Sequence, residues 1–509
     1  MPENLISKTK AVLQRMNVLP VLNEVQDHKK VMISDLDVAR IKKYQRLYEG
    51  NPEWKVRTFR NINGQTAVVH RQLLNMPKVT AKKLSSLVFN QKAKVDVSFE
   101  DVDPSQDSKA YDNPANEYVH KVLKDNRFNE TFPRWLEYMF GVGGIVILPQ
   151  WNDGLKINFA TADAFYPIST DSNGVSEAAI VSTSTQNGKY YTLFTWYEKK
   201  TGDDNSYIVT NQLYQSINAN DVGSRVPLST VYPDLAKSWE FTGYSRAPFI
   251  YLRPNVANNK DMTSPIGIPP YANAIDTLRT LDEIYDTLFQ EFRMGKRRII
   301  APTSMFKRNT DPMTGKVDYA VDLDEEVYKA FKWDASNGDA PAKPEDITLG
   351  LRQEDIISAL NGVLRIYASQ IGLSPGAFTM DENGVQTATE VISQNSETYH
   401  TKNDHETMIE EALIQLVHLI LDIGHDHGEY SGSLDVNVSV NFDDSIAQDR
   451  NENLAYYMQA SGNKPLMPRL QAIQQAFNLT DDEAKSYLQQ LQSEEPGQGD
   501  MTDIAGEEE

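Results

Sequence analysis

Between Pro269 and Tyr367 the sequence lays out two amphipathic helical patterns separated by a short β-rich stretch, and this arrangement restricts the fold more than any other feature. Pro269-Pro270 suits the first turn of a helix and Gly295 suits its end. Between them Ile275, Leu278, Leu281, Ile284, Tyr285, Leu288 and Phe292 recur at steps of three and four. The spacing predicts one continuous helix, about 36 Å long at 1.5 Å per residue, with Leu278, Leu281, Ile284 and Leu288 as its packing residues. Residues 296–350 then form a compact insertion. It has strand patterns at Arg298–Ala301 and Val317–Val321, a turn at Asp311-Pro312-Met313-Thr314-Gly315 and a polar linker around Asn337–Pro344. A second helix is predicted from near Gln353, carrying Ile356, Ile357, Leu360, Val363, Leu364 and Tyr367 on one stripe. Two helices flanking a small β module predict an antiparallel pair with that module at its far end.

The first 270 residues alternate helix and strand signals, which predicts an α+β body. Val38–Leu47, Met76–Phe89, Asn116–Leu123 and Phe132–Phe140 read as helices, and Val95–Phe99 alternates as a half-buried strand does. Ile145–Leu148 and Leu155–Phe159 read as strands about a turn at Asn152-Asp153-Gly154. Tyr190–Tyr197 and Tyr207–Tyr214 form an aromatic hairpin pattern around Thr201-Gly202-Asp203-Asp204. Near the other end, Thr387-Ala388-Thr389-Glu390 is a capping box opening a helical pattern that runs to about Asp426. Its middle, Ser393–Glu406, is polar nearly all round, so a kinked, partner-bound or solvent-bridging helix is expected there. Leu434–Phe442 alternates as a strand, and short helices follow between Ser445 and Gln492, one entered through the capping box Thr480–Glu483. From Glu494 the tail is acidic and poor in core residues, so it is expected to be disordered.

Composition excludes several classes. With no cysteine there are neither disulfides nor thiolate metal sites. The longest apolar runs, Ile145–Leu148 and Leu416–Leu421, fall far short of the roughly 20 residues that cross a bilayer, so no membrane role is expected. Met1-Pro2-Glu3-Asn4 begins no basic-then-apolar leader, and no secretory signal is expected. The net charge of −21 is segregated. Up to Val95 there are 18 Lys and Arg against 7 Asp and Glu, or +11, and the remainder carries −32. Such a chain can present one sign to solvent and another to a partner. Two solvated faces of a large protein would give the same count.

Several of these residues together resemble one family. Tyr251-Leu252-Arg253-Pro254, Pro265-Ile266-Gly267 and the 269–295 helix ending in Lys296-Arg297-Arg298-Ile299 resemble the approach to, and the stem of, tailed-bacteriophage portal proteins. Ile371-Gly372-Leu373-Ser374-Pro375-Gly376-Ala377-Phe378, then Gly384 and Thr387–Val391, is similar to that family's most distinctive segment, closest to portals of long-tailed phages of Gram-positive hosts. Asn126-Arg127-Phe128 and Asn441–Ile446 also fit. The resemblance covers roughly residues 40–490.

It implies an α+β subunit of a homo-oligomeric ring, normally of twelve copies, at one capsid vertex of the virion, assembled in the host cytoplasm. Residues 1–268 would be the N-terminal part of the wing, 269–295 and 351–372 the two stem helices, and 296–350 the clip. The tunnel loop region would be 373–386, with a further wing helix and strand in 387–443, the crown in 444–493 and the acidic tail in 494–509. The implied partners are double-stranded DNA passing through the tunnel, the terminase motor, the major capsid protein and the head-completion or adaptor proteins, with no cofactor and no enzymatic activity. Such a protein is a conduit for DNA packaging and ejection.

The candidate sites carry competing readings. Arg293, Lys296, Arg297, Arg298, Lys307 and Arg308 make a stretch with six cations and no acid. It suits contact with DNA phosphates, but Asp322, Asp324, Glu325 and Glu326 of a neighbouring clip offer salt-bridge partners, and their closeness in sequence favours the latter. The tunnel loop candidates Thr379, Met380, Asp381, Glu382, Asn383 and Gly384 are acidic rather than basic, which suits a low-friction surface; an ordinary surface loop is the alternative. His425-Asp426-His427 reads as a helix C-terminal cap rather than a metal site, because imidazolium near the negative helix end is favoured. Gly141–Gly144 precedes a strand, the reverse of a dinucleotide fingerprint, and Gly295-Lys296 lacks the rest of a phosphate loop. Two alternatives stay open: a metal-dependent DNA-processing enzyme using Asp443 with Asp444 or Asp381 with Glu382, and a minor capsid interaction protein without a tunnel. Adjacent acids on a strand point to opposite faces, which weakens the first; the second does not explain the helix–insertion–helix arrangement.

Overall fold

A computed structural model describes residues 21, 23–25, 32–60, 64–89, 93–99, 111–171, 174–219, 221–244, 246–295, 350–378, 396–442, 467–477 and 484–488, together with residue 313 and the backbone of five short strands within 299–346. In chain order the helices are α1 (Asp35–Tyr48), α2 (Met76–Val88), α3 (Pro114–Asp125), α4 (Phe128–Val142), α5 (Ile275–Met294), α6 (Gln353–Gln370), α7 (Ser396–Asp426) and α8 (Arg469–Phe477). The chain divides into two compact units. One comprises Met1–Glu49, Pro77–Ala272 and Asn383–Glu509; the other comprises Gly50–Met76 and Asn273–Glu382.

The larger unit is built on an antiparallel sheet. Its strands run, in spatial order, Ser224–Val226, Asp203–Ser216, Lys189–Lys200, Gly174–Gln186 and Phe165–Asp171. Ser238–Thr242 pairs with the free edge of Asp203–Ser216, below Ser224–Val226. The aromatic hairpin expected around Thr201–Asp204 is the centre of this sheet, with Gly202 supplying the positive φ its turn needs. Trp196, Tyr197, Phe194 and Phe165 bury their side chains in its core. Ile145–Trp151 and Leu155–Thr161 form the second expected hairpin, joined on its far side by Ile250–Leu252. Lys94–Ser98 pairs with Asn437–Asn441, so the two isolated alternating segments of the sequence complete one another across more than 300 residues.

Local chemistry starts and stops the helices. The Ser34 hydroxyl accepts from Asp37 N at 3.2 Å while the Asp37 carboxylate accepts from Ser34 N at 3.1 Å, a reciprocal cap opening α1. Asn113 caps α3 by accepting from Asn116 N at 2.9 Å, and Pro114 occupies its first turn. In α4, Phe128 and Phe132 stack at 4.7 Å and Phe89 meets Phe132 edge-on at 5.0 Å.

The helix ends at Gly143, whose φ of +104° no side chain favours, and a Cβ on Gly143 would lie 2.7 Å from the Gly267 carbonyl oxygen. Gly267 in turn faces the Gly143 carbonyl at 2.3 Å from its own ideal Cβ position. Tyr251 Oη accepts from Gly267 N at 3.0 Å, and Arg253 donates to the Pro265 carbonyl at 2.9 Å. The Tyr251–Arg253 and Pro265–Gly267 segments singled out in the sequence therefore form one interlock with the Gly141–Gly144 run.

Two expectations are corrected. The 269–295 segment is not one continuous helix. Pro270–Asn273 is a 3₁₀ turn, Ala274 leaves helical geometry, and α5 begins only at Ile275, giving 20 residues or about 30 Å. The cause is Tyr271: its ring is fully buried and its hydroxyl donates to the carbonyls of Gly141 and Tyr44, which fixes it in the core of the larger unit. Of the kinked, partner-bound and solvent-bridging alternatives for the polar middle of the 387–426 pattern, the solvent-bridging one does not hold at residues 402, 405 and 406. Within α7, Lys402, His405 and Glu406 are all buried, Lys402 and Glu406 pair at 2.9 Å, and His405 Nδ1 accepts from Asn255 N at 3.1 Å. Polar side chains satisfied in this way can occupy a core position that a hydrophobicity pattern assigns to solvent. The capping boxes at Thr387 and Thr480 lie outside the described residues.

Candidate functional site

The second unit holds the helix pair on which a functional reading turns. Leu278 and Leu281 of α5 are fully buried, while Ile284 and Leu288 are half-buried. On α6 the buried stripe is Leu360, Leu364, Tyr367 and Ala368. Where α5 ends and α6 begins, Glu291 accepts from Arg352 N at 3.2 Å, Nε at 3.2 Å and Nη2 at 2.8 Å. The arginine lowers the Glu291 pKa. Beside this fork, Leu351 lies against Gly295, where a Cβ would approach it to 2.3 Å. The end of one helix thus meets the start of the next, and the pair is an antiparallel hairpin. Of the insertion between them, Ile299–Pro302 pairs with Tyr328–Phe331 in parallel and with Glu345–Asp346 antiparallel, and Lys307–Thr310 pairs with Val317–Ala320.

The same unit contains a feature that the periodicity of α5 does not announce. Val56–Arg60 and Thr66–His70 form a two-stranded hairpin whose ends are tied to α5. Asp282 accepts from Trp54 Nε1 at 2.8 Å and from Leu74 N at 2.9 Å; Asp286 accepts from Gln72 N at 3.0 Å; Arg71 pairs with Glu283 at 3.0 Å. Asp282 is buried, and that burial raises its pKa. An acid lodged beside Leu278 and Leu281, on the apolar side of an amphipathic helix, was the available signal for such an anchor.

The sequence candidates are placed unevenly. Arg293 is exposed on the last turn of α5; Lys307 and Arg308 lie on a strand whose backbone alone is described, and Lys296, Arg297 and Arg298 fall outside the described residues, as do Asp322–Glu326. All six tunnel loop candidates, Thr379 to Gly384, lie outside them too, and so do Asp443 and Asp444. In the larger unit His427 directly follows α7, with its Nδ1 2.9 Å from the Ile423 carbonyl and its ring stacked on Trp151 at 4.2 Å, while Asp426 accepts from Tyr244 Oη at 2.8 Å. Each member of the His-Asp-His cluster with a described contact is thereby directed to a structural partner. Among the described residues no three His, Asp or Glu side chains are grouped as a metal would need, and no helix is long and apolar enough to cross a membrane.

A cavity of about 970 Å³ in the larger unit is lined by Trp151, Tyr197, Trp239, Asn158 and Asn211. Several of its polar groups serve one another: Gln150 donates to Tyr197, Asn158 to Gln150 and Thr195 to Asn211. They present no nucleophile with an adjacent base.

A family model described as phage portal protein, SPP1 Gp6-like, matches residues 27–497. The chain belongs to the phage portal protein family. No curated protein sequence matches it. The α+β architecture of this portal protein accords with the family, which is one of structural proteins of the phage head-to-tail connector rather than of enzymes. The antiparallel helix pair with its β-stranded insertion is then the part of the portal subunit that most needs a functional account.

Proposed function

We propose that the protein builds the portal ring at one vertex of a phage capsid, the conduit through which double-stranded DNA is packaged and later ejected. The observation carrying this reading is the family match over 27–497, joined to an α5–α6 hairpin that holds a β-stranded insertion. In this reading α5 and α6 are the stem, the strands of 299–346 the clip, residues 373–386 the tunnel loop region, and 444–493 the crown. The ring docks the terminase motor, contacts the major capsid protein and seats head-completion or adaptor proteins. The chain supplies no motive force and no hydrolytic chemistry. DNA is handled by shape and by sequence-independent charge, since a conduit that gripped phosphates strongly would stall the duplex it must pass.

Size decides the matter. Purified protein is expected as a ring of about 690 kDa if twelve copies of the 57.5 kDa chain assemble, with a central channel visible in negative-stain images. Particles of single-subunit mass at every salt and protein concentration would sink the proposal. A magnesium-dependent nuclease assay is expected to be negative; cleavage abolished by substituting Asp443 or Asp381 would favour the enzyme reading instead.

A further inference from the structure

The Val56–His70 hairpin is firmly rooted. Its root is fastened to α5 through Trp54, Arg71, Gln72 and Leu74, yet no third strand joins it among the described residues. A two-stranded ribbon alone is marginal in water, and both its edges offer unpaired backbone groups to another chain. The strand register places Val56, Thr58, Arg60, Thr66, Val68 and His70 on one face and Arg57, Phe59, Ala67 and Val69 on the other. Val56 and Phe59 are each 45% exposed and Val68 is 55% exposed. Arg57 and Arg60 are exposed and form no ion pair with a described residue.

The hairpin's own charge is one-sided: from Trp54 to His70 there are three Lys and Arg and no Asp or Glu, whereas the chain beyond Val95 carries −32. An isolated subunit would leave this basic, partly apolar arm in solvent. In a ring each copy presents its neighbour with a different surface from the one it uses itself, so every arm has one neighbouring copy to meet.

We propose that the Val56–His70 hairpin is an inter-subunit arm that seats on the adjacent copy of this chain in the ring, against a surface combining apolar side chains with carboxylates. The inference rests on the portal reading and adds to it the element that joins neighbours. The chain offers side chains of the required kind: Phe289 and Phe292 are exposed on α5 and Leu351 just before α6, with exposed Glu354 and Asp355 in the first turn of α6. Valine and phenylalanine interleaved with the arginines distinguish the arm from a phosphate-binding ribbon, because backbone phosphates bury no apolar surface whereas protein interfaces do.

Two variants test it. Arg57→Glu with Arg60→Glu changes exposed residues only and is expected to melt as the wild type does. Mass photometry should show it needing about tenfold more protein to reach half assembly, with the wild type moving in the same direction as salt rises. Thr58→Cys introduces the sole thiol of a cysteine-free chain. Labelled there with a benzophenone maleimide and irradiated, the ring is expected to yield covalent dimers. A charge variant that assembles at the wild-type concentration, as it would if the arm bound DNA instead, overturns the inference and leaves the ring intact. So does a probe that cross-links only within its own chain. Wild-type protein that never assembles would overturn both the arm and the portal reading.

Discussion

The indole nitrogen of Trp54 donates to the buried carboxylate of Asp282 at 2.8 Å, joining residues 228 positions apart. The other oxygen of that carboxylate accepts from Leu74 N at 2.9 Å, so one side chain clamps both ends of the Val56–His70 hairpin. A carboxylate is worth burying here because both of its oxygens find donors; with either donor lost, the burial that already raises its pKa would go uncompensated.

Asp282→Ala is therefore expected to destabilise the second unit by about 1–3 kcal/mol, the cost of stranding two partly buried donors. Amide hydrogen exchange should accelerate across residues 54–74 while the sheet of the larger unit keeps its protection. Unchanged exchange over 54–74 would show that the clamp does not hold the hairpin.

Asp422 on α7 has its pKa raised from 3.8 to about 6, first by burial and then by the neighbouring Asp426 carboxylate. A carboxyl whose folded pKa lies above its unfolded value favours the folded state at low pH. That contribution is whole below about pH 3.8 and is lost as the pH rises through about 6. Asp422→Asn should thus gain stability over the wild type at pH 7 and little at pH 4. Urea denaturation at the two pH values measures this, and an equal effect at both would refute it.

His405 titrates with the opposite sign. Its pKa is lowered from 6.5 to about 4 by burial, and its Nδ1 must stay unprotonated to accept from Asn255 N. The unfolded chain takes up a proton first, so stability is whole above about pH 6.5 and falls as the pH drops through about 4. A His405→Gln variant is expected to be less stable at neutral pH and to lose less on acidification. A steeper acid loss than the wild type would contradict the assignment.

Gly267→Ala places a methyl group 2.3 Å from the Gly143 carbonyl oxygen, against backbone that cannot swing aside. The interlock of Tyr251, Arg253 and Gly143 must shift, at an expected cost of about 1–3 kcal/mol. Gly350→Ala, where nothing lies within 4 Å of the new Cβ, is the control and should be near neutral. Equal melting temperatures for the two would mean the close approach is readily relieved.

Some of this was readable residue by residue. The apolar steps of three and four gave α6 its start at Gln353, and the turn signals Asp153-Gly154 and Gly202 marked both hairpins of the larger unit, because these are local properties of φ, ψ and side-chain period. The order of the Tyr251–Pro254, Pro265–Gly267 and Ile371–Phe378 segments carried the family resemblance. The break at Tyr271 was not readable, since helix propensity continues through it and a buried hydroxyl bonded to Gly141 and Tyr44 overrides it. The buried polar face of α7 was hidden for a related reason: a hydrophobicity pattern counts Lys402, His405 and Glu406 as exposed unless their partners are known.

By itself the sequence determined the kinds of element, their order and the family, because each depends on neighbours within a few residues or on the succession of motifs. Only the tertiary structure decided that Gly50–Met76 belongs with α5 and α6, that Lys94–Ser98 pairs with Asn437–Asn441, and that Asp282 is an anchor rather than a solvated charge. Those outcomes depend on which distant donors and strands meet a given group, and the free energy that selects them exists only once the partners are brought together and water is removed from between them.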